Sequence, residues 1–159
     1  MSRDSKDELI AELAGEVRRH QIAQDAFDEV AADVLGINRT DLRCMDIVDR
    51  GGRVTAGALA LESGLSSGAV TTVIDRLEAA GYVRRVRDTA DRRRVLVELT
   101  DKARQRAWEV WGPIAEEAGR TFADYDEEQL RFMIGFLRDA IEFLERHRAR
   151  VIALGARGS

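Results

Sequence analysis

The chain has 159 residues, 45% of them hydrophobic and 34% charged, with one proline, one cysteine and a formal net charge of −4. That balance suits a helix-rich globular domain with mass enough to bury a core, and argues against a disordered chain or two independent domains. A single cysteine excludes an internal disulfide. With no basic-then-apolar leader and no apolar run near the roughly 20 residues needed to cross a bilayer, the sequence predicts a protein of the reducing cytoplasm, outside the membrane.

Residues 5–36 predict one long helix, because Leu9, Ile10, Leu13, Val17, Phe27, Val30, Ala31, Val34 and Leu35 recur at helical spacing and Gly36 ends the run. A second helix is expected after Asn38 or Thr40, either of which can cap it, carrying Leu42, Met45, Ile47 and Val48 up to Gly51-Gly52. Arg53-Val54 reads as a short extended piece. Thr55 then caps a helix through Leu61, Ser63-Gly64-Leu65 makes a turn, and Ser66 caps another helix that stops at Gly81.

From Tyr82 to Leu99 β-branched residues alternate with arginines on both sides of a polar break at Asp88-Thr89-Ala90-Asp91, which predicts a β-hairpin. Thr100 caps a further helix, with Asp101 placed for its dipole, and Gly112-Pro113 is expected to bend that helix before it resumes to about Phe122. A last helix starts near Asp126, whose spacing to Gln129 resembles a capping box, and runs to about Leu154, leaving 155–159 to fray. It carries two apolar stripes: Leu130, Met133, Ile134, Leu137, Ile141 and Leu144, then Phe132, Phe136 and Phe143. One buried stripe is enough for an amphipathic helix, so the surplus points to packing across a two-fold axis with the first helix and its mate.

The two short helices between Thr55 and Gly81 fit a helix-turn-helix: Ala60 is small where the helices approach, Gly64 supplies the turn, and Val70 wedges the second helix against the first. Val70, Val73, Ile74 and Leu77 form the second helix's core face. The opposite face offers Ser67, Gly68, Thr71 and Thr72, small polar residues near a helix N-terminus that let the backbone enter a major groove. Arg76, further along, either reaches a phosphate or pairs with an acidic neighbour.

Residues 82–106 hold nine basic residues against four acidic ones, a net of +5 in an acidic protein. A hairpin beside such a helix is a wing, whose tip arginines suit an adjacent minor groove. Asp91 beside Arg93 reads either as a carboxylate that orients an arginine fork or as a surface ion pair.

Asp91-x-Arg93, five residues, then Leu99-Thr100 resembles the D-x-R-x(5)-L-T wing signature of the MarR family. The stretch from Asp75 to Arg85, the Trp111-Gly112-Pro113 bend and the long last helix are similar to that family too, over nearly the whole chain. The resemblance implies a mainly α (α+β) fold: one MarR-like domain over 1–159, with a winged helix-turn-helix lobe at 38–100 flanked by dimerisation helices at 5–36 and 101–154. It also implies a palindromic operator, with Arg93 in the minor groove, Asp91 as its positioner, and Arg92 and Arg94 on phosphates. Thr72 departs from the family, where a larger polar or basic residue is common.

Relatives in that family commonly release DNA when a small aromatic ligand enters a crevice beside the dimerisation helices, and His20, Met45, Trp108 and Trp111 are the residues placed to line one here. Both tryptophans equally fit ordinary core or interface positions. Cys44, beside Met45 in a partly apolar setting, reads as a packed thiol rather than a redox sensor. No catalytic, metal-ligand or cofactor motif stands out. The reading is therefore a homodimeric regulator of double-stranded DNA, a repressor relieved by a small ligand and not an enzyme. The alternatives are a winged-helix protein-interaction module without DNA binding, or a redox-responsive regulator through Cys44.

Overall fold

The computed structural model describes residues 3–155 as helices α1 (Arg3–Leu35), α2 (Arg39–Gly51), α3 (Ala56–Ser63), α4 (Ser67–Ala79), α5 (Asp101–Phe122) and α6 (Glu127–Gly155), with strands β1 (Arg53–Thr55), β2 (Val83–Arg87) and β3 (Val95–Leu99). The remainder of the tail expected to fray, 156–159, lies outside the described residues. The strands form one antiparallel sheet in the order β1-β3-β2. This is the expected mainly α architecture with a winged helix-turn-helix at its centre.

Most helix starts are fixed by the side chain immediately before them. Asn38 Oδ1, rather than Thr40, accepts the Asp41 amide at 2.9 Å. Thr55 caps α3 through the Ala58 amide at 3.1 Å and Ser66 caps α4 through the Ala69 amide at 3.3 Å. Thr100 accepts the Ala103 amide at 3.2 Å, and Asp126 and Gln129 close a reciprocal box at 2.8 and 3.0 Å. Each bond satisfies an amide that the first helical turn leaves without a partner.

One boundary differs from expectation. Helix α3 runs to Ser63 rather than Leu61, because the buried Ser63 hydroxyl donates to the Leu59 carbonyl at 2.6 Å and so satisfies itself inside the helix. Gly64 then turns the chain at φ 72°, a left-handed conformation that glycine adopts without strain. Pro113, where a bend is expected, lies inside α5, which resumes beyond it to Phe122 as expected.

By compactness the chain divides between Val110 and Trp111. The first unit holds the core, where Val48, Leu59, Val70, Ile74, Leu77, Val83 and Val97 from α2, α3, α4 and the sheet are fully buried. Each such side chain contributes roughly 1.5–3 kcal/mol. In the same unit α1 ends against the base of the hairpin: the Tyr82 hydroxyl donates to the Leu35 carbonyl at 2.7 Å, and Arg106 Nη2 donates to the Val34 carbonyl at 3.1 Å. The second unit is the end of α5 with α6. There Phe132 is 74% exposed, and Ile134, Leu137, Ile141, Phe143 and Leu144 are also exposed. Leu9, Ile10, Leu13 and Ile22 of α1 are exposed as well.

Candidate nucleic-acid interface

Helix α4 is seated by Val70, Val73, Ile74 and Leu77, all buried as the periodicity requires. Ser67, Gly68, Thr71 and Thr72 consequently face outward and are exposed. The Thr71 hydroxyl donates to the Ser67 carbonyl at 3.0 Å and the Thr72 hydroxyl to the Gly68 carbonyl at 3.1 Å. Both hydroxyl protons are thus engaged within the helix, which leaves oxygen lone pairs and methyl groups to meet a partner.

Arg76 takes the second of its two readings. Its Nε and Nη2 donate to the two oxygens of Asp41 at 3.0 and 2.5 Å, and Asp41 is buried at the start of α2. Asn38 Nδ2 donates to the same carboxylate at 3.0 Å. The guanidinium fork is committed to the protein, so the phosphate contact is withdrawn from Arg76. Its new role is to tie the recognition helix to α2 through a bidentate pair.

The arginines of residues 82–106 are less available than their number suggests. Arg84 and Arg53 bracket Glu98 at 2.7 and 2.5 Å, in register across the three strands, and hold its carboxyl below the usual range, Arg84 contributing most. Arg85 reaches across to α4, pairing with Asp75 at 2.5 Å and with Glu78. Arg104 pairs with Asp49 at 3.5 Å and Arg106 with Glu109. Arg94, expected on a phosphate, lies 3.8 Å from Asp88. Among the described residues, Arg87, Arg92 and Arg93 are the arginines of this stretch with no carboxylate within ion-pair distance. All three are exposed. The free positive charge is concentrated where the hairpin turns.

Asp91 positions the tip in a different way from that expected. Its Oδ1 accepts the backbone amide of Arg93 at 3.0 Å, its carbonyl accepts the Arg94 amide at 2.9 Å, and no ion pair joins it to the Arg93 guanidinium. Asp88 does the same one turn earlier, accepting the Ala90 amide at 2.8 Å. Two Asx turns therefore fix the backbone of the tip and leave the Arg93 side chain projecting without a partner among the described residues.

The four residues placed in an effector crevice are not assembled into one by the first unit. Met45 is buried in its core, His20 is exposed on α1, and Trp108 is 63% exposed on α5. Trp111 opens the second unit. An open groove of about 800 Å³ lies instead between the end of α1, the start of α2 and α4, with Asp33, Ile37, Arg39, Leu65, Thr72 and Arg76 on its walls. No sequence period announces it, because it is assembled from three elements. Cys44 is fully buried, and burial pushes its thiol up from the ordinary value, as suits a packed, unreactive group. Among the described residues no cluster of His, Cys, Asp and Glu suits a metal ion, and no helix is long and apolar enough to cross a membrane.

The chain is similar to known proteins in sequence and in fold. A family model described as the MarR family matches residues 37–95. The Bacillus subtilis (strain 168) protein described as an uncharacterized HTH-type transcriptional regulator, YcgE, is 34% identical over 150 residues, 94% of this chain and 97% of its own length. Among solved structures, Streptococcus pneumoniae FabT in complex with DNA superposes with a TM-score of 0.61 at 24% identity, covering 84% of this chain and 97% of its own. The transcriptional regulator Tm0710 of Thermotoga maritima superposes with a TM-score of 0.60 at 21% identity, covering 87% and 98%.

Proposed function

Since the chain belongs to the MarR family of transcriptional regulators, we propose that it is a homodimeric, sequence-specific binder of duplex DNA that acts in the cytoplasm as a repressor of a palindromic operator. The observation that carries this reading is the pairing of a small, polar, exposed start of α4 with a tip whose Arg92 and Arg93 are exposed and unneutralised. In the proposed complex Ser67, Gly68, Thr71 and Thr72 of each copy enter a major groove, and Arg93 enters the neighbouring minor groove with Arg92 beside it. Two copies address half-sites about 10 base pairs apart. The FabT complex supports the reading, since a protein of the same fold is described there bound to DNA.

The exposed apolar residues of α1 and α6 support the dimer, because a second copy is the partner that covers such stripes on both terminal helices. Release by a small aromatic ligand belongs to the same proposal. The groove beside α4 favours it, since Thr72 and Arg76 of the recognition helix form part of its wall.

Selection of bound fragments from random duplex DNA tests the function. An enriched palindrome supports it. Salt-sensitive binding without enrichment would make the protein a nonspecific architectural binder, and no binding would favour a protein-interaction module. Sedimentation as a monomer at micromolar concentration would remove the dimer.

A further inference from the structure

Arg87 is the last residue of β2, pairs across the hairpin with Val95, and is exposed. Strand alternation puts it on the same face as Arg85. Arg85 looks toward α4, where it meets Asp75 and Glu78. Two residues of strand advance about 6.6 Å, a little more than one helical turn of about 5.4 Å. Arg87 is thereby carried beyond Arg85 toward the turn of the hairpin. It lies on the α4-facing side of the hairpin between Arg85 and the tip, and among the described residues no carboxylate offsets its charge.

In duplex DNA a phosphate strand separates each major groove from the neighbouring minor groove. With α4 in one groove and the tip in the other, a cation between them lies over that strand. We propose that Arg87 is a DNA phosphate contact between the recognition helix and the tip, and that Arg94, whose charge faces Asp88 at 3.8 Å, is not one. The proposal rests on the DNA-binding reading above.

The test compares the wild-type chain with Arg87→Gln, Arg87→Lys and Arg94→Gln, each titrated with a random-sequence duplex of about 30 base pairs over a range of salt. Circular dichroism checks that each variant keeps the native helix content. Loss of one phosphate contact per wing makes the slope of log affinity against log salt shallower by about 0.9, hence about 1.8 for a dimer. Arg87→Gln is expected to show that change, whereas Arg87→Lys and Arg94→Gln keep the wild-type slope. A folded Arg87→Gln protein with the wild-type slope overturns the assignment while leaving DNA binding intact. A wild-type chain that binds no duplex at any salt overturns the DNA-binding reading itself, and this assignment with it.

Discussion

Asp41→Asn asks whether the pose of the recognition helix is held from a residue 35 positions away in the chain. The carboxylate side chain is 3% exposed and accepts three hydrogen bonds, two from Arg76 and one from Asn38. An amide of the same size turns one of its two polar ends into a donor, so one bond to the guanidinium is lost and the other loses its charge. Bonds of this charge-assisted kind are worth about 1.5–3 kcal/mol each. The Arg76 side chain is 46% exposed and regains water, which places the expected cost near the lower end, about 2 kcal/mol. For a chain of this size that is a fall of about 4–8 °C in Tm.

Arg76→Ala leaves the buried carboxylate without its cation and is expected to cost more, about 3 kcal/mol, and the double variant less than the sum of the two. Thermal denaturation followed by circular dichroism gives all three values. In DNA titrations Asp41→Asn is expected to weaken binding without altering the salt slope, because no phosphate contact is removed. A Tm within about 1 °C of wild type for Asp41→Asn, or strictly additive single changes, would refute the reasoning.

Arg93→Ala is expected to weaken operator binding by about 1–3 kcal/mol with the sedimentation coefficient unchanged, and undiminished binding would reject the wing assignment. Glu98, held low by Arg84 and Arg53, contributes stability that is present above the ordinary glutamate value near about 4.3 and is lost as pH falls through its lowered folded value. The stability gap between wild type and Glu98→Gln should therefore be constant near neutrality and close in acid; urea titrations showing the same gap at about pH 2 would contradict it. Gly64→Ala forces a side chain onto φ 72° and is expected to cost about 1–2 kcal/mol, so an unchanged denaturation midpoint would count against the turn geometry. Cys44 should react with a thiol reagent only once denaturant opens the core, and rapid native-state labelling that abolishes DNA binding would revive the redox alternative.

What the sequence discloses divides by the distance over which an interaction is made. Thr55, Ser66, Thr100 and the Asp126–Gln129 pair act within one helical turn, and all were legible from spacing. Even so, choosing between Asn38 and Thr40 needed the backbone, because either residue type caps equally well in the abstract. The site was harder to read. Counting charge over residues 82–106 overstates the free cations, since the carboxylates that neutralise Arg85, Arg104 and Arg106 are Asp75, Glu78, Asp49 and Glu109, all outside the stretch. For Asp91 and Arg93, adjacency alone does not distinguish a carboxylate bonded to a guanidinium from one bonded to an amide. Arg87 drew no attention because nothing local marks it. It matters only once its neighbours are seen to be paired.

The bonds from Tyr82 and Arg106 to the last carbonyls of α1 carry a mechanical meaning. Tyr82 immediately precedes β2, and Arg106 lies in α5, which follows β3, so the chain on either side of the hairpin is fastened to the end of a helix of 33 residues. Such a helix is about 50 Å long. Its last turn is thus shared between the long helix and the base of the wing.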